Sequence, residues 1–408
     1  MQSYVRTFLT TLGGALLLVV GFNWGMNPYG LFPAPAITGI NAYKPELSRR
    51  QYVAYPYEVT RVRPQVIILG TSRAMHIPTD QTAWSGKRSY NLALASSSFY
   101  EQFRLFQHAV ASGGVETVLW GIDLFAFVRQ SHPDFSERRL RVDPQGRVQG
   151  FNPTSYLRDA IPGLLSGDAL RSSVKTLHRQ NEAEDMDRRL HANKPARIRS
   201  AGGQRRMFLR LEQGVVDLRP GESQVENMDL DSFRHALRFA HARGIDLHLF
   251  ISPEHARLLE LWEALERGET IVKLKRELVR MNHEEAERAG RRPFPLWDFG
   301  GYNSITTEEL PALGDTETHM QWYWEGSHYS EATADLIVAR VFGTPHSDIP
   351  RDFGVQLDSG NVDGYLMSAR AARAAYRSAH PADIAELDAL LRRSGRASRH
   401  QSMADSAG

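Results

Sequence analysis

Apolar positions along this 408-residue chain form three patterns. The first is an unbroken run. No charged residue lies between Arg6 and Lys44, and Thr7 to Met26 reads TFLTTLGGALLLVVGFNWGM. A helix needs about 20 such residues to cross a hydrocarbon core of about 30 Å. Trp24 and Tyr29 stand where an aromatic belt would fall, and Arg6 on the short side favours a cytoplasmic N-terminus with the rest exported. No small-x-small site closes the run, so an uncleaved anchor is expected rather than a removed signal peptide. The competing reading is a buried core helix. Gly13-Gly14 weakens a helix in water and is tolerated in lipid, which favours the anchor.

The second pattern alternates short apolar runs with helical spacing. Strands are expected at Gln65 to Leu69, Ser89 to Leu94 and Thr117 to Ile122. Between the last two, Phe103, Phe106, Gln107 and Val110 mark a helix over Tyr100 to Ser112, ended by Gly113-Gly114. Strand, helix, strand at this spacing predicts a parallel sheet with crossover helices. The pattern resumes with a helix at Leu230 to Arg243 closed by Gly244, and a strand in IDLHLFIS (245–252). A long helix is expected over Glu254 to Ala289, then a strand in FPLWDF (294–299). Ser330 is positioned to cap a last amphipathic helix, EATADLIVARVF.

The third pattern is its loss. Residues 130–227 are rich in Arg, Asp and Gln, with helical pieces such as Pro162 to Leu177 and a basic run, LHANKPARIRSAGGQRR (190–206). This is expected to be a solvated insertion, or else a lid or docking surface. Residues 29–60, rich in Pro, Gly and Tyr, read as an extended linker. The expected organisation is thus an anchor at 1–28, a linker at 29–60 and an α/β domain at 61–345 carrying the insertion. A tail at 346–408 has a helical segment near Pro381 to Arg393 and a disordered end, GRASRHQSMADSAG.

Composition adds exclusions. A formal net charge of +2 gives no electrostatic footprint for nucleic acid. With no cysteine, disulfides, thiol catalysis and cysteine-ligated metals are out. No phosphate-binding glycine loop follows the first strand. In NHEEAERAG the position four after His283 is Glu287, not the second histidine a zincin helix needs, so no metal site is expected.

Sites in parallel α/β sheets form at the C-terminal ends of strands. Those ends carry Gly70-Thr71-Ser72-Arg73, the stretch Asn91 to Ser98, and Gly121-Ile122-Asp123. Just before the last helix stands WYWEGSHYS, with Glu325 three residues from His328. A serine nucleophile needs a base and a group that orients it, and Ser72, His328 and Glu325 supply those types.

Ser72 after the first strand, with an acidic-x-x-His motif before the last helix, resembles the SGNH (GDSL-like) hydrolase superfamily. LWDFGGYNSIT and EGSHYS further resemble its membrane-anchored branch, akin to alginate and cell-wall O-acetyltransferases. The likeness covers about residues 62–128 and 229–343. It implies a three-layer α/β/α, flavodoxin-like sheet. It also implies ester hydrolysis or acyl transfer, most plausibly of acetyl, on an envelope glycan or glycolipid. No cofactor is implied, and a multi-spanning acyltransferase is the implied partner. By position Ser72 matches the nucleophile, His328 the base, and Glu325 the usual aspartate. Ser96 replaces the usual glycine, and Asp123 the usual asparagine. A backbone N–H can still serve at Ser96, but an ionised Asp123 cannot donate to an oxyanion. Three explanations fit Asp123: protonation by burial, pairing with Arg73 that leaves the oxyanion to backbone N–H groups, or a degenerate site. The adjoining Arg73 favours the second. The alternative function is an inactive glycan-binding or assembly subunit of an envelope system.

Other candidates are weaker. His76 is expected to be structural. Asp315 and His319 form the strongest rival acid and base. His235, His241 and His248 read as packing or surface residues. Trp322, Tyr323 and Trp324 form either a sugar-stacking wall or packing under the last helix.

Overall fold

A computed structural model describes residues 1–180, 194–217, 228–346 and 348–395. The expected disorder of the tail lies outside them from residue 396, as does the start of the basic run. In chain order the helices begin with α1 (Gln2–Met26) and α2 (Gln51–Val62). Strands β1 (Val66–Leu69) and β2 (Ser89–Asn91), helix α3 (Phe99–Ser112) and β3 (Thr117–Ile122) follow. Next come α4 (Pro153–Leu165), α5 (Gly167–His178), α6 (Lys194–Ala201), α7 (Gln204–Val216), α8 (Leu230–Arg243) and β4 (Asp246–Ile251). The chain continues through α9 (Ala256–Ala264), α10 (Gly268–Ala289), β5 (Leu296–Asp298), β6 (Tyr323–Glu325), β7 (His328–Tyr329) and α11 (Glu331–Phe342). It ends with β8 (Val355–Gln356), α12 (Val362–Ala379) and α13 (Pro381–Arg393).

These form two compact units. One comprises Met1–Pro64, Arg104–Gly114 and His132–Ala192; the other comprises Gln65–Phe103, Val115–Ser131 and Asn193–Gly408.

In the first unit, α1 is the helix long and apolar enough to cross a membrane by length and composition, with a mean hydropathy of 1.7 over its most apolar window. The segment expected as an extended linker is different. It carries α2, whose Tyr52, Tyr55, Tyr57 and Val59 are buried, and Tyr29, Leu31, Phe32 and Tyr43 are buried too. Tyr57 donates to Asp159 at 2.7 Å, and Arg139 pairs with the same carboxylate at 2.7 Å. Aromatic burial overrides the loop-like composition, and Pro56 is accommodated inside the helix.

The second unit holds a six-stranded sheet in the order β2-β1-β3-β4-β5-β8. The first five strands run parallel, and β8 pairs antiparallel with β5. All residues of β1 and β3 are buried. Strands covered on both faces read as continuous apolar runs, which is why these two stood out in the sequence. The mixed α/β class with a mostly parallel sheet is as expected. Strand β2 is shorter than expected, yet Leu92 and Leu94 continue the pairing by donating to Ile68 and Gly70. Ser330 caps α11 through the N–H of Thr333, and Gly244 and Gly343 close α8 and α11. The expected long helix is broken into α9 and α10 around Glu266, a non-glycine residue at φ 60°. The insertion is not uniformly solvated: Gln204, Phe208, Glu212, Val215 and Val216 of α7 are buried.

Two buried histidines give a pH prediction. His108 Nε2 bonds the Pro56 carbonyl at 2.8 Å, and its Nδ1 accepts from the Arg141 N–H at 2.7 Å. His255 repeats the pattern with the Glu308 carbonyl and the Arg257 N–H. Burial pushes each imidazole down to about 4. The unfolded chain binds these protons near the ordinary histidine value, so stability falls as pH drops from that value to about 4. The loss is up to about 3 kcal/mol per histidine. Urea unfolding at neutral pH and at pH near 4.5 measures it; equal midpoints would refute it.

Candidate active site

Strand β1 ends at Leu69, and Gly70 follows with a φ of +144° that suits glycine; a Cβ there would lie 2.7 Å from Ala74 Cβ and 3.0 Å from the Gly121 carbonyl. This close approach lets the chain turn at once, so Thr71, Ser72 and Arg73 sit just past the strand. The short 3₁₀ turn Ala74–His76 follows. Asn91 at the end of β2 pins that turn by donating to the carbonyls of Ala74 and Ile77 at 2.9 and 3.0 Å.

The other half of the site is the β6–β7 hairpin, which pairs Glu325 opposite His328. Gln204 of α7 clamps it, donating to the carbonyl of Tyr323 at 2.6 Å and accepting from the N–H of Met320 at 2.9 Å. The N–H of His255 donates to the Gly326 carbonyl at 2.9 Å.

Across 256 positions of sequence, Ser72 Oγ lies 2.8 Å from His328 Nε2. His328 Nδ1 bonds Glu325 Oε1. Glu325 also accepts from the N–H and Oγ of Ser327, both at 3.2 Å. Burial alone would push the Glu325 carboxyl up, but the bonds from His328 and Ser327 outweigh it and hold it below the usual carboxylate range. A hydroxyl, an imidazole and an orienting carboxylate thus stand in line, with Nε2 free to take the hydroxyl proton.

Asp123, at the end of β3, does not face solvent as a lone acid. Arg73 Nη1 donates to its Oδ1 at 2.9 Å, and Thr71 Oγ1 donates to its Oδ2. Arg73 Nη2 reaches Glu254 Oε1, and Trp262 Nε1 donates to Glu254 Oε2 at 2.9 Å. Burial disfavours the Arg73 charge, yet Glu254 and Asp123 raise it above an ordinary guanidinium. Glu254 at the end of β4 was missed from sequence; its signal was an acid just past a strand.

Ser96 holds the left-handed conformation, φ 60°, and is exposed. Among the described residues, the N–H groups of Ser72 and Ser96 have no hydrogen-bond acceptor. A β-carbon disfavours this conformation. Ser96→Gly is therefore expected to raise the unfolding free energy by about 0.5–1 kcal/mol. Urea titration checks it; a loss of stability would refute it.

No family model matches the chain, and no curated protein or solved structure matches it.

The rival groups stand elsewhere or play other parts. Asp315 accepts from the N–H groups of Glu317 and Thr318 at 2.9 Å; the bonds from Thr318 and Glu317 pull its carboxyl down to about 2. This makes it a turn acid, with His319 adding to the same downward pull. His76 is buried, its ring edge-on to His328 at 5.6 Å. Tyr323 and Trp324 are buried, and Trp322 packs against the core, so packing accounts for these aromatics. His283 pairs with Glu287, and no cluster of metal-ligating side chains occurs among the described residues.

Proposed function

We propose that this chain is a membrane-anchored, extracytoplasmic serine esterase or O-acyltransferase acting on acetyl groups of an envelope glycan or glycolipid. We read its sheet as an SGNH-like, three-layer arrangement; the parallel order β2-β1-β3-β4-β5 supports that reading. The single observation that carries the function is the 2.8 Å contact of Ser72 Oγ with a His328 ring whose far nitrogen is held by Glu325.

In this reaction Ser72 Oγ attacks the acyl carbon as His328 Nε2 takes its proton. Glu325 keeps Nδ1 protonated and faces the imidazolium that forms. The N–H groups of Ser72 and Ser96 donate to the oxyanion. As the tetrahedral species collapses, the C–O bond to the sugar breaks and His328 returns the proton to the departing alcohol. Water, or a second hydroxyl in a transferase, then attacks the acyl-Ser72 ester with His328 again as base. Arg73 leaves Asp123 no role as an oxyanion donor; it buttresses the loop that carries Ser72.

A serine-directed fluorophosphonate tests this. Labelling of Ser72, lost in Ser72→Ala, is the expected result. The absence of labelling across a pH series would favour the second reading, a glycan-binding or assembly subunit, for which Asp123 in place of asparagine speaks.

A further inference from the structure

Helices α4 and α5 form a hairpin with one unpartnered apolar face. On α4 it presents Leu157, Ile161 and Leu165; on α5 it presents Leu170, Val174 and Leu177. These spacings of three and four place each trio on one stripe of its helix. Exposure of Leu157 is 56% and of Ile161 53%, high for side chains so apolar. Beside the stripes stand Arg158, Arg171 and Lys175, all exposed, with Lys175 also paired to Glu46 at 3.4 Å. The opposite face of α5 is buried through Ala169, Ser172, Ser173 and Thr176.

The height of this hairpin along α1 says what covers it. Arg6 marks one end of the apolar run, and the 20 residues from there to Met26 rise about 30 Å, the thickness of the hydrocarbon core. Asn23 therefore lies about 5 Å inside the far boundary. Asn23 is fully buried, donating to the Leu164 carbonyl at 2.8 Å and accepting from Ser173 Oγ at 2.7 Å. A polar side chain at that depth needs such partners. To meet Asn23, the last turn of α4 and the middle of α5 have to enter the same layer, while Asp168 at the start of α5 accepts from Tyr29 beyond Met26.

We propose that the α4–α5 hairpin is a second membrane contact, its apolar face sunk into the acyl-chain boundary on the Met26 side and its arginines and lysine among the lipid headgroups. This rests on α1 spanning the bilayer.

The chain has no cysteine, so single cysteines carry a label uniquely. Full-length Ile161→Cys, Val174→Cys and Leu17→Cys would each be labelled with an environment-sensitive NBD dye. They would be reconstituted into phosphatidylcholine–phosphatidylglycerol vesicles with or without doxyl-labelled acyl chains. Loss of emission at all three positions supports the proposal. Loss at Leu17 with none at Ile161 and Val174, both water-like in emission, overturns it and leaves the anchor standing. Blue-shifted emission at Ile161 and Val174 without doxyl quenching assigns the face to a second copy of the chain and also overturns it. No quenching at Leu17 removes the anchor itself, and the proposal with it.

Discussion

Replacing His328 with alanine is expected to lower the turnover of an acetyl ester by about 10⁴-fold or more, because in the proposed reaction the base and the nucleophile act as one unit. The side chain is about one-third exposed, so its removal strips the base from Ser72 Oγ without opening the core. Ser72→Ala should cost as much, and the double variant no more than either single one. Glu325→Gln should be the most informative of the set. It keeps the volume and, through its carbonyl oxygen, the bond from the Ser327 N–H, but its amide can donate to His328 Nδ1 and so favours the tautomer with the proton on Nε2. That proton would point at Ser72 Oγ, where a lone pair is required. A loss of about 10²–10⁴ in kcat with little change in KM is the expected signature. p-Nitrophenyl acetate hydrolysis with near-UV circular dichroism on each variant measures both activity and fold. Folded Ser72→Ala or His328→Ala protein that turns over at a wild-type rate would remove the proposed reaction.

Much of this constellation was legible in the sequence, for physical reasons. The VIIL and TVLWGI runs announce strands covered on both faces, and a strand end in a parallel sheet is where a site forms. Ser330 and Gly343 bracket α11 with the side-chain cap and left-handed residue that helices require. Glu325 and His328 lie close in sequence, so their contact follows from local geometry even though a hairpin, not a helical turn, brings them together. What the sequence hid is what depends on tertiary packing. Helix α2 forms because its tyrosines are buried, which composition reads as loop. The break puts Glu266 rather than a glycine in the left-handed conformation, and the nearby Gly268 only opens the next helix. Helix α12 buries only Val362, Leu366 and Tyr376, too sparse a stripe to stand out in an Ala- and Arg-rich run. Gln204 clamps a hairpin more than 100 positions away, and no local pattern points to it; Glu254 stands just past a strand, but its pairing with Arg73, 181 positions away, is not written locally.

The buried charges behind Ser72 carry the second large effect. Arg73 is the shared counter-ion of Asp123 and Glu254, with side chains 4% and 7% exposed. Arg73→Ala strands two carboxylates in a site with little water. Removing one partner of a buried pair costs about 3–5 kcal/mol, because the remaining charge has lost its compensation. Here two charges lose it together, so unfolding by urea should show a loss at the top of that range. Turnover should fall as well, since Thr71, which precedes Ser72, is held by the same Asp123 carboxylate. The cost belongs to the stranded charges rather than to the missing side chain, and this can be separated. In an Asp123→Asn/Glu254→Gln background, Arg73→Ala leaves only neutral amides behind, and the same substitution should cost well under half as much. An Arg73→Ala penalty that is equal in both backgrounds would assign its role to packing of the guanidinium stem. A penalty in the wild-type background below about 1 kcal/mol, the range of an exposed pair, would mean that the three charges are not coupled at all.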